Sequence, residues 1–237
     1  MNYKVIDKDK YYRKGVFDHF TMDCKCSTSM TVRIDVTRLV NHSKANGTKF
    51  YINFLYILSK VLNSRDDYKM GYLWEDEELI CYDQINPIQY CFHEDTETCT
   101  PVYTTYYEDY KTFYDNALKD LEEAKKTREY KLDMQGHQNW FDASYISWLS
   151  YDALNIELPD GYLHFPPIVN WGRYREENGR LMMPVSVRLN HAVADGYLLA
   201  NVFRLLEKEI ASFTHATRTG HVNLMTKEDW EELKTRS

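Results

Sequence analysis

The chain has 237 residues, of which 43% are hydrophobic, and a formal net charge of −7. This length and apolar fraction suit one large domain or two small ones, and they argue against disorder. The acidic balance, without a large basic patch, argues against nucleic-acid binding. No apolar run is long enough to span a membrane, and the charged N-terminus has no signal-peptide pattern, so a cytoplasmic location is predicted.

The N-terminal half of the chain mixes strand and helix patterns. Residues 27–40 alternate apolar and polar side chains, which is the period of a strand. Residues 50–63 are apolar on nearly all sides and long enough for a buried helix. Residues 76–83 and 87–93 are typical of short strands in a meander. Residues 107–130 place large apolar side chains at three- and four-residue steps, which predicts an amphipathic helix.

The C-terminal half continues this mixture. Residues 131–142 are polar and irregular, whereas residues 143–158 predict a strand. Residues 162–189 predict two strands joined by a turn at Glu-Glu-Asn-Gly. A last long helix is predicted from about residue 197 to 212. Strands in the middle with helices on either side predict a mixed α/β layer fold.

The cysteines predict free thiols rather than disulfide bonds or a zinc site. An odd, irregularly spaced set in a cytoplasmic chain argues against a disulfide framework. One closely spaced pair occurs, but zinc sites of the finger type need a second pair at a matching distance. No metal is therefore expected. The five positions are Cys24, Cys26, Cys81, Cys91 and Cys99.

A histidine ends the last apolar alternation, four residues before an aspartate that opens the final helix. If this segment is one strand, His191 shares the face of the apolar residues before it. Burial there disfavours the charged imidazolium and would keep the neutral form that a general base needs. From the spacing alone, a hydrogen-bonded core histidine is the preferred interpretation of His191. Asp195 could be its carboxylate partner or the N-cap of the helix.

Six segments of the sequence resemble the chloramphenicol acetyltransferase family, and they occur in the family's order. The segment NHAVADGY resembles the family signature H-H-x-V-x-D-G, and FHEDTETCT resembles F-H-x-x-T-E-T-F. Dihydrolipoyl acyltransferase cores carry a similar H-x-x-x-D-G. The other four segments are YYRKGVFDHF, CSTSMTVRIDVT, KFYINFLY and SYISWLSYDALNIEL. On these motifs the chain is identified as a member of that family.

The resemblance implies an α/β fold, described as an α+β two-layer sandwich in which a mixed β-sheet is flanked by helices. It assigns residues 1–212 to the catalytic domain and leaves residues 213–237 as a polar extension, partly disordered or a short helix. It also implies a homotrimer with active sites at the subunit interfaces. The implied reaction is acetyl transfer from acetyl-CoA to a hydroxyl of chloramphenicol, without an acyl-enzyme, which inactivates the antibiotic.

The resemblance also implies roles for four residues. His191 would be the general base that takes the proton of the acceptor hydroxyl. Ser144 would hydrogen-bond the oxyanion of the tetrahedral intermediate, a contact typically worth about 10²–10³ in rate. Asp195 and Arg13 would form a buried salt bridge. The family's imidazole is held by its own backbone carbonyl rather than by a carboxylate.

Further matched positions would line the paths of the two substrates. Arginine stands at position 173, where the family usually has lysine, and the two cations differ in donor geometry. Taken singly, each matched residue could also be a solvated surface charge or ordinary core packing. The positions near the coenzyme A path are Lys49, Tyr51, Arg173 and Tyr174. The positions in the acceptor pocket are Phe20, Cys26, Cys99, Leu154, Ile156 and Asn170.

The sequence departs from the family pattern mainly on the acceptor side. Asn190 replaces the histidine before the predicted base, and Ala194 replaces the cysteine before the motif aspartate. Cys99 and Leu154 stand where phenylalanines are common, which would enlarge the pocket or weaken stacking. Asn170 replaces a threonine and keeps a donor and an acceptor. The reaction class is therefore better determined than the acceptor.

Four other functions were weighed against this one. The same fold could acetylate a different hydroxyl acceptor, or the chain could be a non-catalytic trimeric binding protein. A serine or cysteine hydrolase is disfavoured, because Ser144 lacks a G-x-S-x-G turn and Cys26 lacks an activating helix start. A dihydrolipoyl acyltransferase is disfavoured, because the sequence leaves no room for lipoyl and subunit-binding domains.

Overall fold

The computed structural model describes residues 2–130, 137–159 and 162–215. The strands in this part of the chain are β1 Tyr3–Val5, β2 Ser27–Asp35, β3 Met70–Leu73, β4 Glu78–Tyr82, β5 Asn86–His93, β6 Thr98–Tyr103, β7 Trp140–Ile146, β8 Ile168–Gly172, β9 Arg175–Glu177 and β10 Arg180–Asn190. The α-helices are α1 Lys14–Asp18, α2 Thr37–Asn46, α3 Phe50–Asn63, α4 Tyr110–Ala124 and α5 Gly196–Ser212. A π-helical turn at His19–Asp23 follows α1, and a 3-10 turn at Asp66–Tyr68 precedes β3.

Most strands form one mixed sheet of seven strands. Their order is β2–β10–β8–β7–β5–β6, and β9 pairs with β10 beside this path. Strand β7 runs parallel to both β5 and β8. A second sheet of three strands has the order β1–β4–β3. Parallel neighbours need long crossover connections, and α4 lies in the connection from β5 and β6 to β7.

Helix α3 lies at the centre of the helical layer. Its sequence is apolar on nearly all sides, and it packs against α2, α4, α5 and β5. The side chains of Ile52, Phe54 and Leu58 have no exposed surface. The predicted buried helix is therefore confirmed. Helix α5 is amphipathic and lies against α3 and β2.

The two faces of the seven-stranded sheet differ in polarity. One face packs against the helices, and the β10 residues buried there are Met183, Val185, Val187 and Leu189. On the other face, cross-strand register aligns four polar residues, Thr31, Ser186, Asn170 and Ser144. We call these four residues the polar row. The hydroxyl oxygens of Thr31 and Ser186 are hydrogen-bonded at 2.7 Å.

Residues 147–159, the crossing segment, pass over the polar row without regular secondary structure. The Tyr151 hydroxyl donates to the Asn170 carbonyl oxygen at 3.0 Å. Gly172 permits the close passage, because a Cβ there would lie 2.9 Å from the Leu149 carbonyl oxygen. The crossing segment therefore covers one face of the sheet while the helices cover the other.

The strand predicted over residues 143–158 is wrong beyond the end of β7. The last register pair of β7 and β8 joins Ile146 and Gly172. The backbone then leaves the sheet, and the Leu149 carbonyl accepts from the Arg173 amide at 3.0 Å. Strand β7 therefore ends where β8 no longer provides backbone hydrogen-bond partners. The apolar pattern of residues 143–158 does not contain this information.

Two other sequence predictions are wrong in detail. Residues 76–83 and 87–93 contain strands, but these lie in different sheets and form no meander. Residues 162–189 contain three strands rather than two, because the predicted turn joins β9 to β10. Asn178 and Gly179 have φ angles of 52° and 76°, as the two central positions of a type I′ hairpin require.

Some predicted segments are shorter than expected or lie partly outside the described residues. The amphipathic pattern over residues 107–130 forms a helix only at Tyr110–Ala124. Strand β7 begins inside the segment predicted as irregular, residues 131–142, of which six residues are not described. Of the extension over residues 213–237 only the first three residues are described, so the helix predicted near its end lies outside them. Within the described ranges, no helix combines the length and apolarity needed to cross a membrane.

Candidate active site

His191 lies directly after β10, in the turn that leads to α5. Its backbone N–H donates to the Cys26 carbonyl oxygen at 3.1 Å, which ties the turn to the start of β2. Its half-buried ring stacks on Phe20, with ring centroids 3.8 Å apart. The strand ends one residue earlier, at Asn190. The alternation that predicted a core-facing ring therefore does not extend to His191, and that prediction is wrong.

Asn190 shapes the turn that holds His191. Its side-chain oxygen accepts from the Ala192 amide at 2.9 Å. Its side-chain nitrogen donates to the His164 carbonyl oxygen at 3.2 Å, and its backbone carbonyl accepts from the Ala194 amide at 3.0 Å. The asparagine that replaces a histidine at this position thus fixes the backbone beside the candidate base.

The Nδ1 atom of His191 is buried and has no hydrogen-bond partner among the described residues. The expected contact between this nitrogen and the residue's own carbonyl oxygen is therefore not made in this chain. Because Nδ1 is enclosed, Nε2 is the ring nitrogen that can meet a substrate. In the neutral ring one nitrogen carries the proton and the other can accept one, as a general base must.

Asp195 caps α5 and pairs with Arg13. Its Oδ1 accepts from the Tyr197 and Leu198 amides at 3.1 and 3.3 Å, and its Oδ2 accepts from Arg13 Nη2 at 2.9 Å. The Arg13 side chain is 11% exposed and that of Asp195 40%, so the pair is only partly buried. The guanidinium lowers the pKa of the Asp195 carboxyl. The described contacts thus join Asp195 to Arg13 and the helix rather than to His191.

Ser144 lies in the polar row, far from His191 of the same chain. It pairs with Asn170, which pairs with Ser186, whereas His191 lies five positions beyond Ser186. With about 3.3 Å per residue along a strand and about 4.8 Å between strands, their Cα atoms are roughly 15–20 Å apart. One chain therefore does not bring the two predicted catalytic side chains together.

Two of the predicted acceptor-pocket residues, Phe20 and Cys26, lie beside His191. Cys26 also borders a cavity of about 410 Å³ on the polar side of the sheet. The charged and polar residues that line this cavity are Lys25, Ser27, Ser29, Asn155, Glu157, Tyr162 and Arg188. Below, it is called the Arg188 cavity.

The other predicted acceptor-pocket residues lie with Ser144 or beyond it. Asn170 is its neighbour in the polar row, and Leu154 and Ile156 belong to the crossing segment over that row. Cys99 lies in β6, at the edge of the sheet opposite β2. The predicted pocket is therefore divided into separate parts within one chain.

The residues predicted near the coenzyme A path gather around the first turn of α3. Lys49 directly precedes the helix and is exposed, as is Arg173 at the end of β8. Tyr174 packs edge-on against Phe50, with centroids 5.5 Å apart. Two exposed cations beside an aromatic ring suit a ligand with phosphates and a purine. Tyr51 differs, because its hydroxyl is buried without a partner among the described residues, and burial raises its pKa.

Sequence reasoning missed two buried polar atoms near this site. Nη1 of Arg188 and Nε2 of His164 are both buried without a hydrogen-bond partner among the described residues. A charged residue inside the apolar alternation of β10 was the available signal for Arg188. His164 lies in an irregular segment before β8, which has no hydrophobic periodicity from which its burial could be predicted.

His164 should make the stability of the protein depend on pH. Burial, with a contribution from the positive charge of Arg188, lowers the pKa of His164 from 6.5 to about 4. Between these values the unfolded chain binds a proton that the folded chain does not, so stability falls as pH falls from 6.5 to about 4. The loss is at most about 3 kcal/mol.

We expect His164→Gln to flatten the pH dependence of the free energy of unfolding in that window, because the substituted side chain does not titrate. Urea denaturation at a series of pH values measures it. The exposed His19 offers a matched control, and His19→Gln should keep the wild-type slope. A wild-type slope in the His164→Gln protein would contradict the assignment.

Comparison with known proteins identifies the family. A family model described as chloramphenicol acetyltransferase matches residues 1–207. The chain belongs to the chloramphenicol acetyltransferase family. A chloramphenicol acetyltransferase of Clostridium perfringens is 30% identical over 212 residues, which are 90% of this chain and 100% of that protein. The family is one of acyltransferases, so the predicted enzyme class is confirmed.

Solved structures share the fold of this chloramphenicol acetyltransferase family member. A chloramphenicol acetyltransferase matches with a TM-score of 0.82 at 19% identity, covering 88% of this chain and 100% of its own. The dihydrolipoamide acetyltransferase of Azotobacter vinelandii matches with a TM-score of 0.60 at 13% identity, covering 79% of this chain and 82% of its own. The predicted fold, a mixed sheet flanked by helices, is therefore confirmed.

The thiol chemistry of this family member also follows the sequence prediction. All five cysteines are free, and Cys24 is exposed while Cys81 and Cys91 are buried. Among the residues that the structure describes, no group of three or more His, Cys, Asp or Glu side chains could hold a metal ion.

Proposed function

We propose that this protein transfers the acetyl group of acetyl-CoA to a hydroxyl of chloramphenicol and so inactivates the antibiotic. The observation that carries the proposal is the family match over residues 1–207 in a chain that keeps His191 after β10 and Ser144 in the polar row. A general base and an oxyanion donor are the two groups that this acyl transfer needs.

His191 acts as the general base. Its Nε2 takes the proton of the acceptor hydroxyl as that oxygen attacks the thioester carbonyl carbon. The Ser144 hydroxyl donates a hydrogen bond to the oxyanion that forms. When the tetrahedral intermediate collapses, the carbon–sulfur bond breaks and the coenzyme A thiolate takes the proton from the imidazolium. The products are the acetyl ester and free coenzyme A, and no acyl-enzyme forms.

His191 and Ser144 meet across a subunit interface in this proposal. They are roughly 15–20 Å apart in one chain, so a complete site combines His191 of one subunit with Ser144 of another. When one such contact repeats around a symmetry axis, each subunit contributes its His191 to one site and its Ser144 to another. We infer a homotrimer, in which Phe20 and Cys26 accompany the histidine half.

Acetyl-CoA is bound as a co-substrate near the first turn of α3. Lys49 and Arg173 pair with its phosphates, and the Tyr174 ring packs against its apolar parts. Tyr51 supports the site by packing, with its ring against those of Tyr145 and Trp171. These cations act locally, since the chain as a whole carries a net charge of −7.

The test is the release of coenzyme A thiol from acetyl-CoA by the purified protein. We expect free thiol only when chloramphenicol is added, together with a chloramphenicol product one acetyl group heavier. Thiol release without any acceptor would indicate a hydrolase. Chloramphenicol binding without thiol release would indicate a non-catalytic binding protein. Either result overturns the proposal.

Acetyl transfer to a different hydroxyl acceptor is the second candidate. It keeps the chemistry of His191 and Ser144 and changes only the pocket. Cys99 and Leu154 supply less aromatic surface than the phenylalanines common at these positions. Arg188 adds a half-buried cation without an ion-pair partner among the described residues, and a neutral nitrophenyl acceptor offers no charge to pair with it.

A further inference from the structure

Arg188 is a cation with a buried nitrogen that has no hydrogen-bond partner in the described part of the chain. It lies in β10, two residues after Ser186 of the polar row, and therefore faces the same side of the sheet. The side chain makes no hydrogen bond or ion pair with the described residues, and its Nη1 atom is buried. Burial lowers the pKa of the guanidinium, and no acidic side chain counteracts this among the described residues. Buried charges in proteins are normally paired.

A second unpartnered nitrogen lies close to Arg188. Nε2 of His164 is buried and accepts or donates no hydrogen bond within the described ranges. The positive charge of Arg188 disfavours protonation of this ring and so contributes to lowering the pKa of His164. The Asn190 side chain holds the His164 carbonyl oxygen at 3.2 Å, and Asn190 is two residues from Arg188 in β10. The backbone at His164 is thus held beside the strand that carries Arg188.

Arg188 and His164 line two cavities that share Tyr162. Arg188 lines the Arg188 cavity, which extends to Cys26. His164 lines a second cavity of about 410 Å³, and the rings in its wall are Tyr72, Trp74, Tyr82, Trp140, Tyr162 and Phe165. Convergent polar groups beside a mostly aromatic wall are typical of sites for small organic molecules. Arg188 can only donate, and the neutral His164 ring can donate from Nε2, whereas the carboxylates of Glu75 and Asp76 line a separate part of the second cavity.

We propose that Arg188 and His164 form an anion-binding subsite, and that the preferred acceptor is an alcohol that also carries a carboxylate. The inference rests on the proposed acetyl transfer and specifies the acceptor of the second candidate. One carboxylate would accept from the Arg188 guanidinium and from the Nε2–H of the neutral His164 ring, after a small movement of these side chains opens both buried nitrogens to the cavity. Glu157, the acidic residue among those lining the Arg188 cavity, is exposed and makes no ion pair with Arg188.

The subsite lies within reach of an acceptor held at Ser144 of the same chain. Ser186 and Ser144 are two strands apart in the polar row, and Arg188 is two residues further along β10. The Cα atoms of Arg188 and Ser144 are therefore roughly 12 Å apart. The arginine side chain covers part of that distance. An alcohol whose hydroxyl and carboxylate are separated by one aromatic ring spans the rest.

The test compares two alcohols that differ only in charge, para-(hydroxyethyl)benzoate and its amide para-(hydroxyethyl)benzamide. We measure kcat/KM by thiol release and the dissociation constant by calorimetry for the wild type, Arg188→Gln and Arg188→Lys. The wild type should prefer the benzoate by about tenfold or more, which is typical for a hydrogen bond to a charged group. Arg188→Gln should lose this preference and keep the amide. Arg188→Lys should retain part of it, because it keeps the charge but not the fork of donors.

The ratio between the two probes separates charge recognition from a folding defect, since both are measured on one protein. Equal use of both probes by the wild type, or a preference that survives Arg188→Gln, would overturn the proposal. A loss of subunit assembly in Arg188→Gln with an unchanged ratio would assign Arg188 to a subunit contact and would also overturn it. If no alcohol releases thiol, the proposed function fails, while the calorimetric ratio still decides the subsite.

Discussion

His191→Ala should lower kcat for acetyl transfer by about 10²–10⁴-fold, the usual contribution of a positioned general base. The proton of the acceptor hydroxyl would then have to leave to water as its oxygen attacks the thioester. The KM for acetyl-CoA should change little, because Lys49, Arg173 and Tyr174 lie around α3 rather than at the end of β10. Steady-state thiol release at varied acetyl-CoA concentration measures both constants.

The matched control removes a histidine elsewhere in the chain. His42 lies in α2, where its Nε2 contacts the His215 carbonyl oxygen at 2.6 Å. His42→Ala should keep the wild-type kcat. If His191→Ala remained within a few-fold of the wild type, His191 would not be the base. Circular dichroism of both variants checks that the fold is retained.

Ser144→Ala should lower kcat by about 10²–10³-fold, the effect expected on removal of one oxyanion donor. The KM values should be nearly unchanged, because the hydrogen bond strengthens when charge develops on the carbonyl oxygen. Ser147, exposed at the start of the crossing segment, is the control, and Ser147→Ala should keep full activity. Comparable losses in both variants would point to a disturbed strand end instead of a lost donor.

The separation of Ser144 and His191 within one chain adds a stricter test. Co-produced Ser144→Ala and His191→Ala chains should form mixed assemblies in which about a quarter of the interfaces hold both intact residues. Activity should therefore return, although each variant alone is impaired. Its absence in assemblies shown to be mixed would contradict a site shared between subunits.

Local patterns predicted the strand that leads to His191 and the helix beside the proposed coenzyme A site. The alternation before His191 predicted β10, and the uninterrupted apolar run predicted α3. Asp195 at the start of α5 was correctly considered as an N-cap, because its short carboxylate can accept from the free amides of the first turn. The short helices α1 and α2 were not predicted, since a strand pattern runs into α2 and α1 lies among charged residues.

The assembly of the site could not be predicted from periodicity. Nothing in the spacing of Ser144 and His191 reports that β8 lies between β7 and β10. Strand order and register are set by contacts between distant segments. The resemblance supplied the roles of these residues and implied sites at subunit interfaces, whereas the distance between the two residues within one chain follows from the strand order of the sheet.

The partial burial of Arg188 was missed by sequence analysis for a related reason. A charged residue at a polar position of an alternating strand is normally solvated. Here the crossing segment lies over that face of the sheet, and Asn155 and Glu157 of this segment line the same cavity as Arg188. The surroundings of this side chain therefore depend on a stretch that the sequence predicted as a strand.

The pairing of β2 with β10 also has a consequence for how the protein is made. Thr31 and Ser186, which share a hydrogen bond in the polar row, are 155 positions apart in the sequence. During synthesis β2 leaves the ribosome long before β10, the strand with which it pairs. One edge of β8 also stays unpaired until β10 is made. A chain that stops before β10 keeps two open strand edges, which invite pairing with other chains. Truncated products should therefore aggregate rather than retain partial activity.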